Sequence, residues 1–137
     1  MQKYYFDTSI WLDFFENRDE PNLPKGKWST ELIEKIIRND DKIIYSEVVK
    51  DELIEQRYNL YEIDDLFQSL KKILIFTEVT KKQFGIAKDI ALKRDIPTRD
   101  ALHALIARDN KAVLVTLDHH FKKILDITKP NKPQDLI

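Results

Sequence analysis

Four carboxylates in this chain sit where side chains can do chemistry rather than merely solvate a surface. Asp7 directly follows a short aromatic run, Lys3–Phe6, and is itself followed by two hydroxyl residues, Thr8 and Ser9. A strand-end or helix-capping aspartate accounts for Asp7 alone, but one cap would suffice there. Glu52 falls, at ~100° per residue, between Val48 and Val49 on the helix that follows Ser46. Glu47, Asp51 and Glu55 fall on the opposite, polar side. A carboxylate inside an apolar stripe loses solvation unless a basic partner, an escape to solvent or a bound cation compensates. Asp100 lies in the first turn of a segment rich in Ala and Leu, Thr98 to Asp109, where an acid also serves the helix dipole. Asp118 closes Thr116-Leu117-Asp118 after the apolar run Ala112 to Thr116. It reads equally as a turn aspartate, with the Thr116 hydroxyl on the same side if the chain stays extended.

If the four converge, they need a counter-ion. Two unit charges ~4 Å apart in an effective dielectric of ~20 repel by ~4 kcal/mol. Hard oxygen ligands, with no cysteine in the chain, favour Mg²⁺ or Mn²⁺ over zinc.

The elements that must position these acids are legible in the apolar pattern. Strands are expected at Lys3–Phe6, Ile43–Tyr45, Ile73–Phe76 and Ala112–Thr116, with a weak fifth near Ile127. Helical periodicity covers Ile10 to Phe15, the stretch opened by Ser29 or Thr30, the stretch capped by Ser46 and reaching about Gln56, Leu60 to Leu70, Thr80 to Lys93, and Thr98 to Asp109. A loop is expected from Arg18 to Lys27, a short piece around Phe121, and a tail over about 128–137 extended by Pro130 and Pro133. Strands alternating with helices imply one domain, residues 1–137, folded as a three-layer α/β/α sandwich around a parallel sheet. Such folds gather function beyond the carboxyl ends of their strands, where strand order reverses.

Composition narrows the chemistry. The 137 residues are 42% hydrophobic and 34% charged, and 23 basic against 24 acidic side chains leave a net charge of −1. Any nucleic-acid binding must therefore come from a local patch. Two glycines, Gly26 and Gly85, exclude a glycine-rich phosphate loop and a dinucleotide fingerprint. No apolar run approaches the ~18–20 residues of a membrane span, and a cytoplasmic location is expected.

Asp7-Thr8-Ser9 after the first strand, Ser46 with Glu52-Leu53, Asp100-Ala101 with Ala107, and Thr116-Leu117-Asp118 with Phe121 together resemble the PIN domain. The similarity is nearest to the toxin ribonucleases of VapBC-type toxin–antitoxin pairs, and it runs from about Tyr4 to Phe121. The resemblance implies a doubly wound sheet of four or five parallel strands in order 3-2-1-4-5. It implies an acidic quartet of Asp7, Glu52, Asp100 and Asp118 holding one or two Mg²⁺ or Mn²⁺ ions, with Thr8, Ser9 and Thr116 orienting the carboxylates. Lys50-Asp51 departs from the family pattern and makes Asp51 a rival for the second acid. The activity implied is hydrolysis of RNA phosphodiesters by an endoribonuclease. An antitoxin protein and a homodimer are the partners implied.

A basic rim for RNA is sought among Lys25, Lys27, Arg94, Arg99 and Lys122-Lys123, with Arg99 beside Asp100 the foremost candidate. His103 is read as a hydrogen-bonded core residue, and His119-His120 as a solvated turn. Two other readings stay open: a non-catalytic PIN-like module that binds RNA or a partner, and a phospho-acceptor receiver-like domain with a strand-end aspartate as acceptor.

Overall fold

A computed structural model describes residues 1–137. Strand β1 (Lys3–Phe6) lies at the centre of a five-stranded sheet with β4 (Lys42–Ser46) and β5 (Leu74–Thr77) on one side, and β6 (Val113–Val115) and β7 (Pro130–Asn131) on the other. Every pairing is parallel: Tyr4 sits opposite Ile43 and Val113, and Phe6 opposite Val115. Counted over these five strands, the order is the expected 3-2-1-4-5, with the reversal between β1 and β6. Helices α1 (Thr8–Glu16), α2 (Lys25–Arg38), α3 (Glu47–Glu55), α4 (Leu60–Gln68), α5 (Lys81–Arg94) and α6 (Thr98–Asp109) complete the three layers.

The period of two in the strands divides the interior into two cores. Tyr4, Phe6, Ile43 and Val115 point to one face, where Ile10 and Trp11 of α1, Leu32, Ile33 and Ile36 of α2, and Ile63 and Phe67 of α4 cover them. Tyr5, Ile44 and Leu114 point to the other, under Ala87 of α5 and a run of α6 residues from Ala101 to Ala107. The alanines let α6 lie close to the sheet, and this helix is buried nearly all round. Helix α3 straddles the carboxyl edge: Val48 enters one core, Val49 and Leu53 the other.

Four local expectations are corrected. The Arg18–Lys27 loop contains a small exposed hairpin, β2 (Asp19–Glu20) with β3 (Leu23–Pro24), and α2 begins at Lys25 rather than at Ser29 or Thr30. Ser29 lies inside the helix and donates back to the Lys25 carbonyl at 2.9 Å, a bond available to a mid-helix serine. The fifth strand forms at Pro130–Asn131, not near Ile127, which instead packs half-buried against the second core. An edge strand tolerates a proline because its outward N–H needs no partner. Ser46 precedes α3 but makes no side-chain cap, because its hydroxyl is engaged elsewhere.

Candidate metal centre

Asp7 continues the central ladder, its amide donating to the Val115 carbonyl at 3.2 Å, and then turns the chain into α1. Its Oδ1 caps that helix, accepting from the Ile10 amide at 3.1 Å and the Ser9 hydroxyl at 2.8 Å. Its Oδ2 accepts from the Thr116 hydroxyl at 2.5 Å. Burial pushes this carboxyl up from its ordinary range, and the hydroxyl and amide donors oppose the shift. A carboxylate offers about four acceptor sites, so these three bonds hold Asp7 rigid and leave it one lone pair to give.

Thr116, also buried, works in two directions. While donating to Asp7, its oxygen accepts the Asp118 amide at 2.9 Å, which ties the ends of β1 and β6 together. Asp118 then caps the 3₁₀ turn His119–Ile124 through the His120 amide at 2.9 Å. That turn swings His120 Nδ1 to 3.0 Å from Asp118 Oδ1 and 3.2 Å from Asp100 Oδ2. Ligand atoms of Asp100, Asp118 and His120 lie within 4.8 Å of one another. Asp100 Oδ2 is buried and makes no hydrogen bond, the nearby His120 nitrogen lying outside bonding geometry. Burial, then repulsion from Asp118, raises the Asp100 carboxyl to about 6, with Asp7 adding to the repulsion.

Glu52 stands on a different support. Its Oε1 accepts from the Thr8 hydroxyl at 2.8 Å and lies 2.6 Å from His103 Nε2. His103 Nδ1 lies 2.6 Å from the Tyr5 hydroxyl, which in turn lies 2.8 Å from Ser46 Oγ. A carboxylate only accepts, so Nε2 is the donor to Glu52. A neutral ring would then take the Tyr5 proton at Nδ1, leaving Ser46 to donate to the Tyr5 oxygen. Burial works to raise the Glu52 carboxyl, but His103, Thr8 and Arg99 outweigh it and hold it below its ordinary value.

The acids expected to converge thus do so unequally. Asp100 and Asp118 are brought together with His120; Asp7 reaches Asp118 through Thr116; and Glu52 hangs from Thr8, beside Asp7 in the chain, but lies outside the tight cluster. Of the two rivals, Asp51 is exposed, whereas Glu52 is half-buried and turned toward Thr8. Arg99 is half-exposed and ion-paired with Glu55. His103 is the hydrogen-bonded core residue expected. His120 is not a solvated bystander: a cap at Asp118 fixes where it points, and that cap is the one signal in the sequence able to place it.

The donor set of carboxylates and one imidazole suits a divalent cation of the Mg²⁺ or Mn²⁺ kind, and the orphaned Asp100 oxygen is a ready ligand for one. No helix is long and apolar enough to cross a membrane.

Among solved structures the fold is similar to a toxin–antitoxin complex from Klebsiella pneumoniae. The two share a TM-score of 0.68 and 15% identity over 95% of this chain and 97% of that one. It is likewise similar to VapBC2 from Rickettsia felis bound to a DNA fragment from their promoter, with a TM-score of 0.67 and 19% identity over 96% of this chain and 98% of that one. No curated protein matches the sequence. The PIN domain model matches residues 4–126, nearly the whole sheet and all four acids, and the chain belongs to the PIN domain family.

Proposed function

We propose that the protein is a metal-dependent endoribonuclease that hydrolyses RNA phosphodiesters, and that it serves as the toxin of a toxin–antitoxin pair. The observation that carries the chemistry is the buried Asp100 oxygen, without a hydrogen bond, facing Asp118 and His120. The Asp100 and Asp118 carboxylates repel one another when both are charged, and a cation between them would relieve that repulsion. Asp7, Asp100, Asp118 and His120 would hold one or two Mg²⁺ or Mn²⁺ ions, with Glu52 completing the set directly or through water. A divalent ion in such a site supplies Lewis acidity toward both an attacking water and the phosphodiester.

The chain's own residues do the positioning. Thr116 holds the Asp7 and Asp118 ends of two strands in register, Ser9 fixes the second Asp7 oxygen, and Thr8 with His103 fixes Glu52. These partners orient ligand oxygens as the supporting shell of a metal site does. The toxin role and an antitoxin partner are supported by the likeness to two toxin–antitoxin structures; a homodimer and a cytoplasmic location belong to the same proposal.

The test is Asp7→Asn, which keeps the size of the side chain and the bonds that cap α1. It is expected to abolish Mg²⁺- or Mn²⁺-stimulated cleavage of RNA while the far-ultraviolet dichroism spectrum stays unchanged. Full wild-type activity in EDTA would refute the reading. Calorimetric titration that finds no Mn²⁺ binding would leave a non-catalytic binding module in its place.

A further inference from the structure

Most of the cations expected at an RNA rim are already paired. Lys25 pairs with Glu20 at 3.5 Å, Lys27 with Glu31 at 3.9 Å, Arg94 makes a fork on Asp126 at 2.6 and 3.0 Å, and Arg99 pairs with Glu55. Their charge is already answered on the protein. Lys122 and Lys132 have no acidic partner, and both border one cleft of about 290 Å³ whose other walls include Thr116, Asp118 and Asn131. That volume is close to the lower end of small-ligand sites, ~300 Å³.

The two lysines come from different elements and are set in place by the same residues that build the centre. Lys122 rides the 3₁₀ turn that Asp118 caps. Lys132 follows β7, which the Thr116 amide registers by donating to the Asn131 carbonyl at 2.9 Å. The Asn131 side chain adds a bond to the Leu114 carbonyl at 3.3 Å. The cleft is therefore lined both by the Asp118 carboxylate and by two lysines without an acidic partner.

We propose that this cleft is a phosphate subsite, which holds the phosphodiester next to the scissile one in a single-stranded RNA. The inference rests on the nuclease reading and adds the direction from which the strand enters: along β7 and the 3₁₀ turn, not past Arg99. An RNA strand is repelled by the acids it must reach, and lysines free of partners offset that repulsion where the strand crosses the rim.

The double variant Lys122→Ala/Lys132→Ala tests it, both side chains being exposed. Binding of a short single-stranded oligoribonucleotide is measured in EDTA, where no cleavage occurs, across a range of salt. Each phosphate that a lysine ceases to neutralise lowers the log–log salt slope by ~0.7 for a single strand, so the double variant is expected to show a slope smaller by about 1.4. With Mn²⁺ present, KM should rise about tenfold or more while kcat stays within about threefold, the pattern of weakened uniform binding. Lys111→Ala, at the opposite end of β6, should change neither quantity. An unchanged slope and unchanged KM in the double variant overturn the subsite, as does a wild type that fails to bind the oligonucleotide. A wild type that binds with the expected slope but never cleaves in Mn²⁺ overturns the nuclease reading instead.

Discussion

Asp100→Asn should make the metal-free protein more stable while destroying its response to metal, and the size of the effect follows from the site. The Asp100 carboxyl is raised from an ordinary 3.8 to about 6 by burial and by Asp118. At about 1.4 kcal/mol per pKa unit, keeping that group charged costs the fold about 3 kcal/mol at pH 8. The sign is that of an acid whose folded value is raised. Its proton is held more tightly in the folded state, so stability is greatest below 3.8 and is lost as the pH climbs through about 6. An asparagine of the same shape carries no such cost. In EDTA at pH 8 the variant should therefore gain up to about 3 kcal/mol, or roughly 10 °C in Tm for a domain of this size. At pH 5, where the wild-type carboxyl is largely protonated, the gain should shrink to about half. The assay is thermal unfolding at both pH values, with and without Mn²⁺. Saturating Mn²⁺ at about a hundred times Kd should add about 2.7 kcal/mol to the wild type and almost nothing to the variant. A variant that is destabilised in EDTA at pH 8, or whose gain is the same at both pH values, would refute the claim that unrelieved charge is stored at this position.

Two other outcomes are expected. His120→Ala should weaken Mn²⁺ binding by at least about tenfold in calorimetry but Mg²⁺ binding far less, because imidazole is a better ligand for the softer ion; equal losses for both metals would place His120 outside the ion's shell. Asp13→Asn should stabilise the protein by about 1–3 kcal/mol above pH 6, since burial raises this 3%-exposed acid to about 6 despite Lys25 and Arg18 nearby. Denaturant unfolding at pH 8 and pH 4 measures it, and a gain that persists undiminished at pH 4 would contradict that assignment.

The layers are legible in the sequence because they depend on periodicity. Lys3–Phe6 and Ile43–Tyr45 alternate between two buried faces, and the apolar wrap of α6 announces a helix buried on nearly every side. The small hairpin Asp19–Glu20/Leu23–Pro24 is invisible there because its residues are largely exposed and carry no apolar alternation. The fifth strand lies away from its expected position because Ile127 is apolar while the residues that pair, Pro130 and Asn131, are poor strand formers held by β6 alone. At the site, strand ends mark Asp7 and Asp118, and the helical wheel marks Glu52 over Asp51. His120 escapes because a short 3₁₀ turn has no period to read. The Ser46–Tyr5–His103–Glu52 chain escapes for a different reason: its members are far apart in sequence, and each has an adequate local explanation as a cap, a core aromatic or a core histidine.

The contrast between Asp7 and Asp100 argues that the centre is built for occupancy rather than tolerated as a flaw. Both carboxylates are largely withdrawn from water, yet the fold answers one and not the other. Asp7 receives an amide and two hydroxyls, donors from α1 and from the residue that follows β6, whereas Asp100 Oδ2 receives none even though it stands beside a histidine. Leaving a buried acceptor unpaired costs about 1–3 kcal/mol, and more for a charged one. A serine or asparagine on a neighbouring turn would remove that cost, as Ser9 and Thr116 do for Asp7. Around Asp100 the potential donors are engaged elsewhere, Arg99 on Glu55 and His103 on Glu52 and Tyr5, while Ala101 and Ala104 are fully buried and have no side-chain donor. A rigid, satisfied acid next to an unsatisfied one is the arrangement in which a cation gains most: the first sets geometry without reorganising, and the second gives up its repulsion only when the ion arrives.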